Sequence, residues 1–294
     1  MRILLYSQKL QAKHVVLVQQ LLNDLYLRGV EIVVYTPYLS QLNEARITLQ
    51  QPVDTLATHP ELIAANIDFV ITLGGDGTIL QALMLIRDSG IPTLGINLGR
   101  LGFLATADGV KYDDAIDSLL TGNHTVEKRR LLQLECNIPI FGDFPFALND
   151  FTIVKRDTSS MIIVHTYLNG DFLNSYWADG LILSTATGST GYSLSCGGPI
   201  IFPNSGNFVL TPIAPHNLNV RPIVFANTST VSFEIEGRAD NFLCTLDSRF
   251  ELVTAQHQIS LRCADFFISI VRLKDYSFPS TIRQKLSWGL DSRN

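Results

Sequence analysis

The segment "DFVITLGGDGTILQAL", Asp68 to Leu83, decides the fold. The apolar run Phe69 to Leu73 empties into Gly74-Gly75-Asp76-Gly77-Thr78. Ile79, Ala82, Leu83 and Ile86 then recur at helical spacing, so the segment reads as strand, glycine turn and helix. Such a turn offers backbone N–H groups and the positive end of a helix to an anion such as phosphate. A carboxylate in its middle, Asp76, runs against that use. Either it caps the helix by accepting from first-turn N–H groups, or it does chemistry on whatever the turn holds. Two familiar phosphate loops are excluded. In G-x-G-x-x-G the third glycine would fall at Leu80, and G-x-x-x-x-G-K-[ST] needs a lysine that is absent here.

Outward from the turn, the first part of the chain alternates strand and helix. "RILLYS" precedes a helix with Val15, Val18, Leu22 and Leu25 on one face; "EIVVYT", a helical "SQLNEARITL", the strand before the turn, the helix after it and "IPTLGIN" follow. This alternation predicts a parallel sheet with helices on its faces, and ligands gather at the C-terminal ends of such strands. From about residue 126 the runs become short and β-rich, from "LLQLECNI" to "FISIVRL", which predicts an all-β half. Within it, Asn169-Gly170 between apolar runs signals a hairpin. "STIRQKLSWGL" after Pro279 reads as a terminal helix that returns to the first domain. The expected division is 1–125 with 272–294, and 126–271.

The 294 residues carry a net charge of −5, and phosphate-backbone binding normally needs a basic face, so nucleic acid is not the expected partner. The basic cluster Lys128-Arg129-Arg130 reads as a solvated strand entrance. No apolar run reaches about 18 residues, so no membrane partner is expected. "MRILLYSQ" reads as a first strand rather than a secretion signal, which predicts a cytoplasmic protein. Cys136, Cys196, Cys244 and Cys263 form no C-x-x-C pair and read as buried reduced thiols. The six histidines show no ligand spacing, so no structural metal is expected, and His216 in "APH" reads as a buried histidine bonded to backbone.

A second stretch, "WADGLILSTATGSTGYSLSCGGPI" from Trp177 to Ile200, packs Thr185, Thr187, Ser189, Thr190, Tyr192, Ser193 and Ser195 among Gly188, Gly191, Gly197 and Gly198. That density of hydroxyls and glycines suits close backbone approach to a polar ligand; a surface Ser/Gly loop is the plain alternative. Asp179 can accept from an amide or amino group, and Tyr192 offers a flat face and a hydroxyl. Asn149-Asp150 sets an amide beside a carboxylate between apolar strands, a pair that also occurs in ordinary turns.

Gly74 to Thr78, Asn149-Asp150 and the long Gly/Ser/Thr stretch, with "GRLGFL" at Gly99 to Leu104 and "TPIAPHNLNVRP" at Thr211 to Pro222, come in an order and spacing that resembles the NAD kinases of bacterial type. The similarity runs from about residue 70 to the C-terminus. The long stretch is the specific part, since Gly-Gly-Asp-Gly also marks phosphofructokinases and diacylglycerol-type lipid kinases. The resemblance implies a Rossmann-like N-terminal domain, a β-rich C-terminal domain, and homodimers or homotetramers. It implies ATP, or polyphosphate, as donor, NAD as acceptor and Mg²⁺ as cofactor; the sequence singles out no side chain to hold that ion, for which substrate phosphates can supply most ligands.

Residue roles follow from the same resemblance. Asp76 would take the proton; Gly74 and Gly75 would meet phosphate, and Thr78 would either meet phosphate or simply begin the helix; Gly77 would touch NAD through its backbone, and Phe103 would line the nucleotide pocket. Asn149 and Asp150 would contact the adenosine, and Asp179, Thr190, Gly191, Tyr192, Ser193, Leu194 and Ser195 would add further NAD contacts. The chain departs from the family pattern at Asp150 (usually Glu), Ala186 (usually Pro), Gly191 (usually Ala), Ser248 after Asp247 (usually Gly) and Trp177 (often basic). Two other readings compete with an NAD kinase: a lipid or sugar kinase sharing only Gly-Gly-Asp-Gly, and a catalytically silent NAD(P) sensor.

Overall fold

A computed structural model describes residues 1–99, 102–105, 107–156 and 160–288; Arg100 and Leu101 of "GRLGFL" and Gly289 and Leu290 of "STIRQKLSWGL" lie outside them. The chain divides into two compact units, Met1–Lys128 with Ile268–Asn294, and Arg129–Phe267.

The first unit is built from β1 (Arg2–Tyr6), α1 (Val15–Leu27), β2 (Glu31–Tyr35), α2 (Thr36–Glu44), β3 (Asp54–Leu56), α3 (His59–Ala64), β4 (Phe69–Leu73), α4 (Asp76–Ile86), β5 (Thr93–Asn97), β6 (Ala107–Asp108) and α5 (Tyr112–Leu120). The strands pair in parallel in the order β3-β2-β1-β4-β5, with Leu4 opposite Val33 on one side and Val70 on the other. The strand order therefore reverses between β1 and β4, and a crevice opens beyond the C-terminal ends of strands at such a switch point. Ser7, just past β1, donates its hydroxyl to Leu73 O at 2.7 Å and ties the two strand ends together there. Val18, Leu21, Leu22 and Leu25 of α1 and Tyr112, Ala115, Ile116 and Leu119 of α5 bury their apolar stripes in a core with alternate residues of the sheet.

One local expectation shifts. The helix expected at "SQLNEARITL" starts earlier, at Thr36, because Pro37 in its first turn suits a helix start, and it stops at Glu44, with Arg46 at φ 58°. The helices α3 and α5, which no expectation covered, fill the remaining connections.

The chain enters the second unit within β7 (His124–Cys136), continues through β8 (Phe146–Ala147), β9 (Asp150–Lys155), β10 (Ile162–Leu168), β11 (Asp171–Ala178), β12 (Gly180–Thr185), the short α6 (Tyr192–Ser195), β13 (Asn207–Ile213), β14 (Ile223–Ala226), β15 (Val231–Glu236), β16 (Phe242–Leu246) and β17 (Arg249–Val253), and leaves within β18 (Ile259–Leu273). One antiparallel sheet has the order β14-β13-β12-β9-β16-β17; β11, β10, β15 and the start of β18 pair in another. Their apolar faces share one core, in which Phe151 stacks on Phe233 at 6.0 Å. Asn169 and Gly170 both take positive φ, 55° and 89°, between β10 and β11, as a type I′ hairpin turn requires. Back in the first unit, Ile270 of β18 pairs in parallel with Thr93, and α7 (Phe278–Leu286) packs Phe278 against Phe103 with ring centroids 6.1 Å apart. No described helix is long and apolar enough to cross a membrane.

Candidate active site

The glycine turn after β4 lies at the switch point of the first sheet. Gly75 is the N-cap of α4 and Asp76 its first residue, so the N–H groups of Gly75, Asp76 and Gly77 fall where a helix has no preceding carbonyls to occupy them. Gly74 has no room for a side chain, because a Cβ there would lie 2.1 Å from Thr78 Oγ1. Thr78 therefore both continues the helix and folds its hydroxyl over the turn.

Asp76 does not cap its own helix. Its carboxylate points into the turn after β5, where Oδ2 accepts from Phe103 N at 2.8 Å and Oδ1 accepts from Leu104 N at 3.0 Å and Ala105 N at 2.9 Å. Gly102 makes room for this: a Cβ on it would sit 1.8 Å from Asp76 Oδ1. Among the described residues Oδ2 thus has one partner and keeps a second lone pair. Phe103 is buried and supplies an N–H to the carboxylate as well as a ring to Phe278.

In the second unit, Asn149-Asp150 enters β9 beside the hydroxyl-rich loop. Asp247 organises it: its buried carboxylate accepts from Leu148 N at 2.8 Å, Asn149 N at 2.7 Å and Asp150 N at 3.2 Å, and its own N–H returns to Asp150 O at 3.0 Å. Asp247 does this at φ 52°, a conformation its short polar side chain tolerates. Asn149 O accepts from Thr185 N at 2.9 Å and Ser184 Oγ at 3.2 Å, so its backbone is held on both sides. Its side-chain Oδ1 is buried and has no hydrogen-bond partner among the described residues. A buried acceptor left unpaired costs roughly 1–3 kcal/mol, so this atom marks where a ligand donor belongs.

The loop that follows divides its hydroxyls between two uses. Thr185 Oγ1 donates to Leu148 O, Ser189 Oγ to Ala186 O, Thr190 Oγ1 to Thr187 O, and Ser193 Oγ pairs with Thr211 Oγ1, all of which hold the loop's own shape. Tyr192 and Ser195 face outward with Gly191, while Leu194 is half-buried. Asp179 is paired with Lys155 at 2.6 Å, a cation that the sequence reading did not single out. Tyr192 lies within electrostatic reach of Cys196, Asp150 and Asp179, and Cys196 within reach of Asp150.

Three other expectations change. Arg129 is buried rather than solvated and donates to Thr187 Oγ1 at 3.2 Å, within the hydroxyl-rich loop; only Lys128 and Arg130 of that cluster are exposed. His216 is exposed, its ring 6.3 Å from that of Trp177. Of the four free thiols only Cys244 is buried; Cys136, Cys196 and Cys263 are partly exposed.

Burial pushes the Asp150 carboxyl up to about 7, with repulsion from Asp247 adding to it and the Thr152 hydroxyl opposing. Asp247 is raised by its own burial, against the three backbone N–H groups it binds and the pull of Arg249. An unfolded aspartate loses its proton near 3.9, so between that value and about 7 the folded state holds a proton that the unfolded state does not. Stability contributed by Asp150 is therefore complete below the unfolded value and lost as pH rises through the folded one. Melting of Asp150→Asn should flatten that fall: the stability difference from the parent grows by on the order of 2 kcal/mol between about pH 5 and about pH 8. Parallel melting curves across the range would show that Asp150 titrates normally.

Each unit matches a family model. Residues 9–124 match the ATP-NAD kinase N-terminal domain and residues 148–273 the ATP-NAD kinase C-terminal domain, so the class is that of two-domain phosphotransferases. The chain is 45% identical over 290 residues to the NAD kinase of Cytophaga hutchinsonii, covering 99% of both chains, and 41% identical over 296 residues to that of Flavobacterium psychrophilum, covering 100% of both. Its fold is similar to a crystal structure of an NAD kinase from Archaeoglobus fulgidus in complex with ATP, at 25% identity and TM-score 0.76 over 98% of this chain and 100% of that one. It is also similar to yeast NADH kinase complexed with NADH, at 22% identity and TM-score 0.87 over 99% and 88%. The chain belongs to the NAD kinase family.

Proposed function

We propose that this protein transfers the terminal phosphoryl group of ATP to the adenosine-ribose 2′-hydroxyl of NAD, making NADP. The observation that carries the reading is the Asp76 carboxylate, anchored through Oδ1 and half-free at Oδ2 beside a phosphate-suited helix start. The 2′-oxygen attacks the γ-phosphorus; a new O–P bond forms, the β,γ-bridging O–P bond breaks and ADP leaves. The hydroxyl proton passes to Asp76 Oδ2, and the first-turn N–H groups of α4 offset phosphate charge. Gly74, Gly75 and Thr78 shape the phosphate side of the turn, and Gly77 leaves its backbone open to the dinucleotide.

The second unit supplies the adenosine contacts in this reading. Asn149 Oδ1 accepts from the adenine amino group, Asp150 adds a second acceptor beside it, and Tyr192, Ser195 and Asp179 border the same loop. Thr190, Gly191, Ser193 and Leu194 act through the backbone path they impose. In this reading Mg²⁺ enters as the counter-ion carried by ATP, with the substrate phosphates supplying most of its ligands. Exposed Val224 on β14 and Phe250 and Leu252 on β17, the two edges of a sheet, support a homodimer or homotetramer. Partly exposed free thiols support a reducing, cytoplasmic setting.

Incubation with ATP, Mg²⁺ and NAD, followed by enzymatic detection of NADP, tests the reaction. Turnover only with a lipid or sugar acceptor, or NAD binding without turnover, would overturn it. In the same assay Asn149→Ala should raise KM for NAD about tenfold with kcat nearly unchanged, because the backbone bonds of Asn149 survive the change.

A further inference from the structure

Arg272, near the end of β18, is almost wholly buried, and its contacts show what holds it there. Nε donates to Glu127 Oε2 at 2.7 Å, Nη1 to Leu104 O at 3.0 Å and Nη2 to Phe103 O at 3.1 Å, and the guanidinium carbon lies 4.2 Å from the centre of the Tyr276 ring. A buried guanidinium is costly unless charge-paired and hydrogen-bonded, and this one is both. The two carbonyls it chooses are informative. A carbonyl shares its rigid peptide plane with the next residue's N–H, which points the opposite way. Phe103 O thus shares a plane with Leu104 N–H, and Leu104 O with Ala105 N–H. Those are the two N–H groups that bind Asp76 Oδ1. Each plane is gripped at its oxygen by a cation and at its nitrogen by the Asp76 carboxylate, and the aligned dipoles reinforce one another.

We propose that Arg272 is a positioning residue for phosphoryl transfer: by holding the carbonyls of Phe103 and Leu104 it sets the two peptide planes that anchor Asp76 Oδ1, and so leaves Oδ2 turned for the proton. Glu127 keeps the guanidinium in register for both carbonyls. The inference rests on the reading of Asp76 as proton acceptor. Phe278, seated on Phe103, closes the same turn from α7, so the C-terminal segment contributes twice to the geometry of a residue at the start of α4.

Arg272→Lys keeps the charge but cannot grip two carbonyls in one plane. In the full-length enzyme it should lower kcat about tenfold while KM for NAD and for ATP stay within about threefold, the pattern of a loss felt in the transition state. Glu127→Gln should give a smaller fall of the same kind. Against an Asp76→Asn background, either change should cost less than about twofold, because the carboxylate being positioned is gone. Additive losses in that background, or raised KM with unchanged kcat, would overturn the proposal. If Arg272→Lys fails to fold, Glu127→Gln carries the same cycle. If the unmodified enzyme makes no NADP, the reading of Asp76 fails and the proposal falls with it, whereas additive losses in an enzyme that does make NADP overturn the role of Arg272 alone.

Discussion

Asp76→Asn is expected to lower turnover by roughly two to four orders of magnitude, the range typical of removing a positioned general base. The side chain keeps its size but loses its ability to take a proton from the attacking hydroxyl. An amide also meets the turn badly. With Oδ1 turned to the N–H groups of Leu104 and Ala105, its NH₂ faces the N–H of Phe103, donor against donor. Some of the effect therefore passes through the turn itself, and melting temperature and NAD binding must be measured beside turnover. Retained folding and binding with lost kcat is the expected result. Turnover within tenfold of the parent would show that the carboxylate serves only to fasten the turn after β5.

The second large effect is expected at Gly188. A Cβ added there would lie 2.2 Å from Asn149 O and 2.5 Å from Asn149 C. The obstacle is backbone, and that backbone is pinned by Thr185 N on one side and Asp247 on the other. Side chains can swing away from a new methyl group; a peptide gripped at both ends cannot. Gly188→Ala should then cost about 3 kcal/mol or more, at the upper end of overpacking changes. It should also raise KM for NAD at least about tenfold by displacing the Asn149 amide from its ligand-facing position. Calorimetry with and without NAD separates the two losses. An unchanged melting temperature with normal KM would mean that the loop and the Asn149 turn move independently.

Much of this architecture was legible from local pattern. The apolar run, glycine turn and periodic face around Asp76 correspond to β4 and α4, and Asn169-Gly170 to the hairpin it forms, because these signals depend only on neighbours in sequence. The helix after β2 begins a few residues before the polar run that suggests it, since Pro37 marks its start more strongly than that run does. The glycines of the hydroxyl-rich stretch pointed to close approach, and Gly188 makes such an approach to Asn149.

The supporting residues were not legible. Asp247, Arg129, Lys155 and Arg272 lie far along the chain from the groups they hold, and nothing in "TLDS" or "IVRL" distinguishes a buried anchor from an ordinary turn or strand residue. His216 and Arg129 exchanged their expected environments for the same reason: a residue's burial depends on what the rest of the chain brings against it.

What the amino-acid order determined alone was the kind of most of the longer elements, the parallel and antiparallel halves, and the presence of a carboxylate in a glycine turn at a strand end. Only the tertiary structure decided where that carboxylate points. Its three N–H partners sit on the turn after β5, and two of their peptide planes are held in turn by an arginine on β18. Periodicity and propensity act over a few residues, whereas a buried charge takes its partners from whichever segments the sheet order brings beside it.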